Sequence, residues 1–450
     1  MKAEVRKAAT GLLVTTGLVV AGSASAQLTV WTTQVQPERI AVQEQLGADF
    51  EAASGVSVEF VPVEESALAE RVTAAFGAGD LPDVIYHPVS QTIGWAEAGI
   101  LDTLTATDIV DSLGEDTFSE GALNLVRFEE EYAAVPSDGW TQLVVYRQDL
   151  FDEAGLAAPT SFEAIQAAVE ALHNPPELYG FVAATDPSND YMMQVLEEFF
   201  LANGATLLDD EGNVDLNNEQ VVETLDFYKV LTDASPEGNL FWEQSRELYM
   251  AGQAAMIVWS PFILDELAGL RDEVPVTATD DPASADLARD TGFVTRVSGP
   301  SNEGGSGWAS SSNWGVTVDA DFDAAGQFIE YVMNDGYLTW LSMAPEGLFP
   351  VRSGTAEEPN SYVEGWQNLD VGVDRKMPLA EIYPQEVIDS LLAGLEVGDR
   401  WGFSQGQGAL VSELYGTRVM TEVVRQFTDG ELTAEEAAAE LQERVSALQE

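Results

Sequence analysis

The sequence predicts an α/β protein of two lobes, with a central ligand cleft and several crossings of the chain between them. Three observations lead there. From Leu28 to His87, short apolar runs alternate with amphipathic ones in the order strand, helix, strand, helix, strand. That rhythm breaks at 133–140, AAVPSDGW, and again at 298–312, where Pro, Gly and Ser collect. A chain of 450 residues with 45% apolar content also exceeds what one ordinary core holds.

In the first lobe, Leu28-Thr29-Val30-Trp31 reads as a buried strand. Val42, Leu46, Phe50 and Ala53 read as one helix face, and Val56, Val58 and Phe60 as an alternating strand. Leu68, Val72 and Phe76 then line a helix that stops at Gly77 and Gly79, and Val84-Ile85-Tyr86 follows as the next strand. Each strand is followed by a helix, so parallel pairing with right-handed crossovers is expected. The strand exits then share one edge, carrying Trp31 to Gln34, Glu64-Glu65-Ser66 and His87. Ligands of open parallel sheets bind at that edge, and an aromatic face, carboxylates and an imidazole suit a polar small molecule.

Pro136 and Gly139 precede the apolar run Leu143-Val144-Val145-Tyr146, the first crossing into a second lobe. There, Thr160 and Glu163 are spaced as a capping box ahead of Ile165, Val169 and Leu172. Residues 180–185 read as a strand whose exit holds Asp186, Asn189, Asp190 and Tyr191. Residues 254–261, AAMIVWSP, read as another, ending in an indole and a proline turn. The run from Asp209 to Asn213 resembles a calcium loop. Val214 stands where the turn glycine belongs and Gln220 where the bidentate glutamate belongs, so a solvated turn is expected. Residues 298–312 read as a long flexible crossing that delivers the chain to a strand at 314–318. Beyond Gly347 the pattern is helical, and Thr433 with Glu436 caps the last helix. The expected lobes are 27–136 with 310–345, and 137–309 with 346–450.

Lys2, Arg6 and Lys7, the apolar run 11–22 and Ala24-Ser25-Ala26 together read as a secretory signal peptide over 1–26, cleaved after Ala26. The run falls short of a ~20-residue membrane span, so a soluble periplasmic protein is expected. With no cysteine, neither a lipid anchor at the cleavage site nor a disulfide can form. The 77 acids against 19 bases make nucleic acid and anionic membranes poor partners. The chain also has 10 Trp and 19 Phe, enough to build a core, so the acids read as a solvated, halophile-like shell suited to high salt.

Several chemistries lack their residues. His87 and His173 are the only histidines, and no nucleophile elbow, Walker A run or dinucleotide fingerprint occurs. No metal or cofactor is expected. A carboxylate pair such as Glu64 and Asp138 could cleave a glycoside, but among 77 acids such pairs arise by chance, so an enzyme is not expected. Aromatic placement says more. Trp31, Trp140, Trp259 and Trp308 fall at strand exits or crossings, where an indole either packs or offers its face to a sugar ring. Trp95, Trp340 and Trp366 read as core or lobe surface. His87 either meets a ligand or is satisfied by backbone. Arg352, in a chain poor in bases, either meets a ligand or pairs with a buried carboxylate.

Several stretches share a pattern in this order: LTVWT at 28–32, LAERVTAAFGAGDLPDV at 68–84, WAEAGILDTL at 95–104, YAAVPSDGW at 132–140, VVYRQDLFDEAGLAAPTSFEAI at 144–165, AGQAAMIVWSPF at 251–262 and GLFPVRSG at 347–354. In them the chain resembles the extracellular solute-binding proteins of ABC importers, the sugar-binding group that includes maltose-binding protein. The resemblance implies a periplasmic-binding-protein-like fold, a sugar or oligosaccharide held by lobe closure, and a membrane permease as partner, with the chain itself a monomer. By position it implies ligand contacts at Trp31, Glu64 or Glu65, and His87 in the first lobe, and at Asp138 and Trp140 in the first crossing. It adds Asp190, Tyr191, Trp259 and Phe262 in the second lobe, Trp308 to Asn313 in the return crossing, and Arg352 after it. No Asp-Lys pair follows the first tryptophan, so maltose itself is not implied. A polyamine or other cationic solute is the alternative ligand, and a secreted carbohydrate-active enzyme the alternative class.

Overall fold

The computed structural model describes residues 27–403 and 405–449; the expected signal peptide lies outside them. In chain order its strands are β1 (Gln27–Thr32), β2 (Ser57–Pro62), β3 (Val84–Pro88), β4 (Arg127–Phe128), β5 (Glu131–Tyr132), β6 (Val135–Thr141), β7 (Leu143–Arg147), β8 (Met256–Trp259), β9 (Thr291–Val294), β10 (Val297–Gly299), β11 (Asn302–Val316) and β12 (Phe349–Pro350), with short pieces beyond. β1 pairs in parallel with β2 and β3, placing Leu28 opposite Val58 and Val30 opposite Val84. This is the pairing that the strand–helix rhythm requires. Antiparallel β11 follows β3, and β6 follows β11, giving the sheet order β2-β1-β3-β11-β6-β12.

A second, antiparallel sheet has the order β8-β7-β9. Only Gln142 separates β6 from β7, so one extended segment leaves the large sheet and enters the small one. β11 makes the return. Its start pairs with β10, its middle with Gly398–Asp399, and its far half with β6 and β3. The lobes are therefore joined by extended chain whose backbone groups are paired on both sides, a stiff connection with defined ends.

Three expectations change here. The Gly/Ser segment 298–312 is no flexible linker; most of it lies in the 15-residue strand β11. Small residues are weak strand formers, yet here close approach demands them: a Cβ on Gly307 would stand 2.2 Å from the Thr295 carbonyl oxygen. The first crossing falls at Gln142, beyond the expected boundary at 137, because Ser137 to Thr141 remain in the large sheet. β12 also belongs to that sheet. Trp366, Leu379, Ile388 and Leu395 share a cluster with Trp314, Phe328 and Trp340, whereas Trp401 to Val445 pack with Phe199 and Tyr228 of the second lobe. The C-terminal part is thus divided between two hydrophobic clusters, the first of which also holds Val145 and Ile257 of the small sheet.

Local signals held with small shifts. Helix Pro37–Ser54 buries Gln43, Leu46, Gly47 and Phe50, and helix Glu65–Ala78 buries Leu68 and Val72 while Phe76 in its last turn stays exposed. Each fully buried Leu or Val contributes about 1.5–3 kcal/mol. Helix Phe162–Leu172 is capped by Ser161, whose Oγ accepts from the Ala164 amide at 3.1 Å, so the cap falls one residue beyond the expected Thr160. The Thr433–Glu436 capping box forms as read. Residues 180–185 meet the small sheet through an isolated bridge from Val182 to Ile257, with Tyr179 just before them bridging Ala254.

Candidate functional site

Where β6 and β11 cross between the lobes, a cavity of about 450 Å³ opens, within the range of small-molecule sites. Its floor carries Asp138 and Trp140 from β6 and Ser310, Ser311 and Ser312 from β11. The first lobe adds Gln34 and Arg39 beyond the end of β1, Glu65 at a helix start, and Ser90 with Gln91 after β3. The second lobe adds Asp190 and Gln194 from helix Asp190–Ala202, Phe262 after β8, and Arg400, Phe403 and Tyr415.

Trp140 is the half-buried centre of the floor. Its ring lies 4.7 Å from that of Trp308, tilted by 53°. Trp308 is fully buried and donates its indole N–H to Glu197. The Arg400 guanidinium sits 4.7 Å over the Trp308 ring and donates through Nε to Glu197 at 2.8 Å. A buried ion pair thus locks one indole, which in turn braces the other at the cavity, and such a rigid aromatic platform loses little entropy on binding.

Asp138 is wholly buried, accepting from the Tyr86 hydroxyl at 2.8 Å and the Trp340 indole N–H at 3.2 Å. Burial raises its carboxyl to about 6, against which these donors pull. Glu65 is accessible to solvent yet enclosed by the cleft walls; that enclosure and then the Asp190 charge raise its pKa. Asn189 caps the helix that presents Asp190, its Oδ1 accepting from the Tyr191 amide at 2.9 Å, and Arg418 pairs with the Asp190 carboxylate. One turn later Gln194 faces the same space, where its Oε1 accepts from Gln142 at 3.3 Å. Hydrogen-bond donors and acceptors therefore surround an aromatic floor.

Of the residues expected from sequence, the cavity gathers Glu65, Asp138, Trp140, Asp190 and Phe262, with Ser310 to Ser312 from the expected stretch Trp308 to Asn313. The others are placed elsewhere. Trp31 is buried in a small first-lobe cluster with the Arg71 guanidinium over its ring, and Glu64 is exposed just ahead of the helix. His87 is fully buried against Trp95 and Gly315, its Nδ1 toward the Pro88 carbonyl and its Nε2 without a partner among the described residues. The strand alternates, so the side chain of His87 and that of Tyr86, which reaches Asp138, leave opposite faces. Tyr191 packs beneath Trp259 and donates to the Val258 carbonyl, and Trp259 stacks on Trp242. Trp308 acts from behind Trp140. Asn313 is buried beside Ser311 and Thr92. Arg352 is buried with carbonyl and hydroxyl acceptors from Leu113, Met333 and Thr117, and with no carboxylate partner among the described residues.

Arg39, Gln194, Arg400 and Tyr415 were not foreseen, whereas the serines of β11 fall inside the expected stretch from Trp308 to Asn313. Gln194 follows Asp190 by one helical turn, a spacing that could have been used. The serines lie in a crossing, where small polar side chains leave room for a ligand. Arg400 and Tyr415 reach the site through tertiary packing alone.

Residues 45–368, more than half of the chain, match the family described as bacterial extracellular solute-binding protein. The chain belongs to that family. Among curated relatives of this solute-binding protein, a putative ABC transporter periplasmic-binding protein of Escherichia coli, YcjN, is 25% identical over 75% of both chains. The diacetylchitobiose-binding protein DasA of Streptomyces coelicolor is 23% identical over 73% of this chain and 74% of its own. Among solved structures, the GacH receptor of Streptomyces glaucescens superposes with a TM-score of 0.68 at 20% identity, over 95% of this chain and 99% of that one. The cyclic α-maltosyl-1,6-maltose-binding protein of Arthrobacter globiformis reaches 0.72 at 16% identity, over 94% and 98%. Members of this family are binding proteins that work with a permease, and no described helix is long and apolar enough to cross a membrane.

Proposed function

We propose that this solute-binding protein captures a sugar or oligosaccharide between its lobes and presents it to the membrane permease of an ABC importer. The observation that carries this reading is the braced indole of Trp140 facing a cavity lined by Gln34, Gln91, Gln194 and three consecutive serines. A pyranose offers a flat C–H face to the indole and a girdle of hydroxyls to amides and hydroxyls. The named ligands of relatives, arabinooligosaccharide, diacetylchitobiose and acarbose, support the same class. Ligand contacts on both walls give the closed state its differential affinity, without which binding would not drive closure. Consistent with this role, the chain acts in the periplasm as a monomer once residues 1–26 are removed.

A thermal-shift and tryptophan-fluorescence screen against mono- and oligosaccharides tests the reading. At a hundredfold excess over Kd, a true ligand stabilises by about 2.7 kcal/mol. A flat response to every saccharide overturns it. A cationic solute is the second reading, favoured by the Glu65 carboxyl, whose proton affinity is raised by burial and by the Asp190 charge across the cleft; a polyamine that binds, and binds more weakly as salt rises, supports it instead.

A further inference from the structure

Arg39 is the cation of the cavity that the protein itself leaves unsatisfied. The Arg400 guanidinium is spent on Glu197, and Arg418, at the rim, on Asp190. Arg39 makes no ion pair within 4.0 Å among the described residues, although acids outnumber bases 77 to 19 in this chain. Its guanidinium makes one hydrogen bond, from Nη1 to the Gln34 Oε1 at 2.6 Å. That arrangement is built from beneath: buried Gln43 donates through Nε2 to the Gln34 carbonyl at 2.8 Å and to the Arg39 carbonyl at 3.2 Å. A guanidinium has five N–H donors, so four remain, and none of its nitrogens is sealed in the interior without a partner. They open into the cavity that Arg39 lines.

Resting on the sugar-binding reading, we propose that the ligand is a saccharide bearing a carboxylate, a uronic acid, and that Arg39 selects it by donating two parallel N–H bonds to that carboxylate. The planar fork matches a carboxylate better than it matches any single hydroxyl. The carboxyls that face Arg39, those of Asp138, Glu346 and Glu38, do not reach it as ion pairs. Asp138 is occupied by Tyr86 and Trp340, and Glu346 by Arg271 at 3.0 Å. Burial also holds Asp138 and Glu346 above the ordinary carboxylate range, which lowers the negative charge they set against an incoming anion. Glu65 and Asp190 repel that anion and accept from hydroxyls, so the saccharide is oriented with its carboxylate at Arg39.

The test is calorimetric titration of the mature chain with galacturonate and galactose, and with digalacturonate and galactobiose, each pair differing only in carboxylate against hydroxymethyl. Glucuronate and glucose, with their disaccharides, form the second series. The uronate of at least one series should bind roughly ten- to a hundredfold more tightly than its neutral counterpart, the range of a charge-assisted bidentate contact. Arg39→Gln should bring that ratio to about one and Arg39→Lys should retain part of it, with melting curves reporting that both variants fold. Neutral sugars binding as well as uronates in both series overturns the proposal and leaves the sugar-binding reading standing. So does a uronate preference that Arg39→Gln does not change. No binding in either series, with a response to another saccharide in the screen, also overturns the uronate assignment alone; no response to any saccharide overturns both.

Discussion

Among individual residues, Trp140 and Trp31 separate the two fates of a strand-end indole. Trp140→Ala removes the aromatic floor and is expected to weaken sugar binding about tenfold or more. Trp31→Phe, in a cluster away from the cavity, is expected to leave affinity within about twofold; fluorescence titration of both variants decides this. Sequence alone could not tell these indoles apart, since both stand at strand exits and differ only in what lies behind them. Two buried titrating groups should shape the pH profile with opposite signs. Burial raises Glu198 to about 8, and its Oε2 has no partner among the described residues. Between its unfolded value near 4.5 and about 8 the native state holds a proton that the unfolded chain has released, so stability falls as pH rises. Glu198→Gln should remove that slope and melt higher at pH 8, by an amount on the order of 2 kcal/mol. Burial lowers His87 to about 4, so stability is lost as pH falls from about 6.5 toward 4, and His87→Gln should flatten that limb. Melting curves across pH 4–8.5 test both.

Among elements, the βα rhythm of residues 28–87 was fully legible because each segment carries its own period, and β1, β2 and β3 pair as that rhythm demands. β11 was not. Its Gly and Ser residues fit a strand only because β6 and β3 flank it and neighbouring backbone crowds it, and tertiary context of this kind leaves no periodic trace. The same holds for Arg400, whose partner Glu197 lies some two hundred residues away in sequence yet fixes the Trp308–Trp140 stack. Arg400→Met strands a buried carboxylate and should cost about 3–5 kcal/mol, whereas adding Glu197→Leu should recover most of it. Chemical denaturation of the single and double variants distinguishes a buried pair from an incidental contact. Arg352 shows the limit of reasoning from charge, since carbonyls rather than carboxylates satisfy it.

For the whole molecule, two lobes, paired crossings and a cavity between them follow from one topology, and the resemblance in sequence agrees with the family match over 45–368. The lobes already meet on one side, where Ser412 donates to the Ser90 carbonyl at 2.7 Å. A net charge of −58 repels itself at low ionic strength, so the melting temperature should rise as sodium chloride increases from near zero toward molar concentrations. A melting temperature indifferent to salt would show the acids to be locally neutralised. Capture of a sugar between the lobes is tested by a crystal structure with the saccharide that gives the largest thermal shift. The sugar should lie between the lobes with a ring face on Trp140 and polar contacts to both Gln34 and Gln194. A sugar bound outside this cavity, or held by one lobe without touching Trp140, would contradict it.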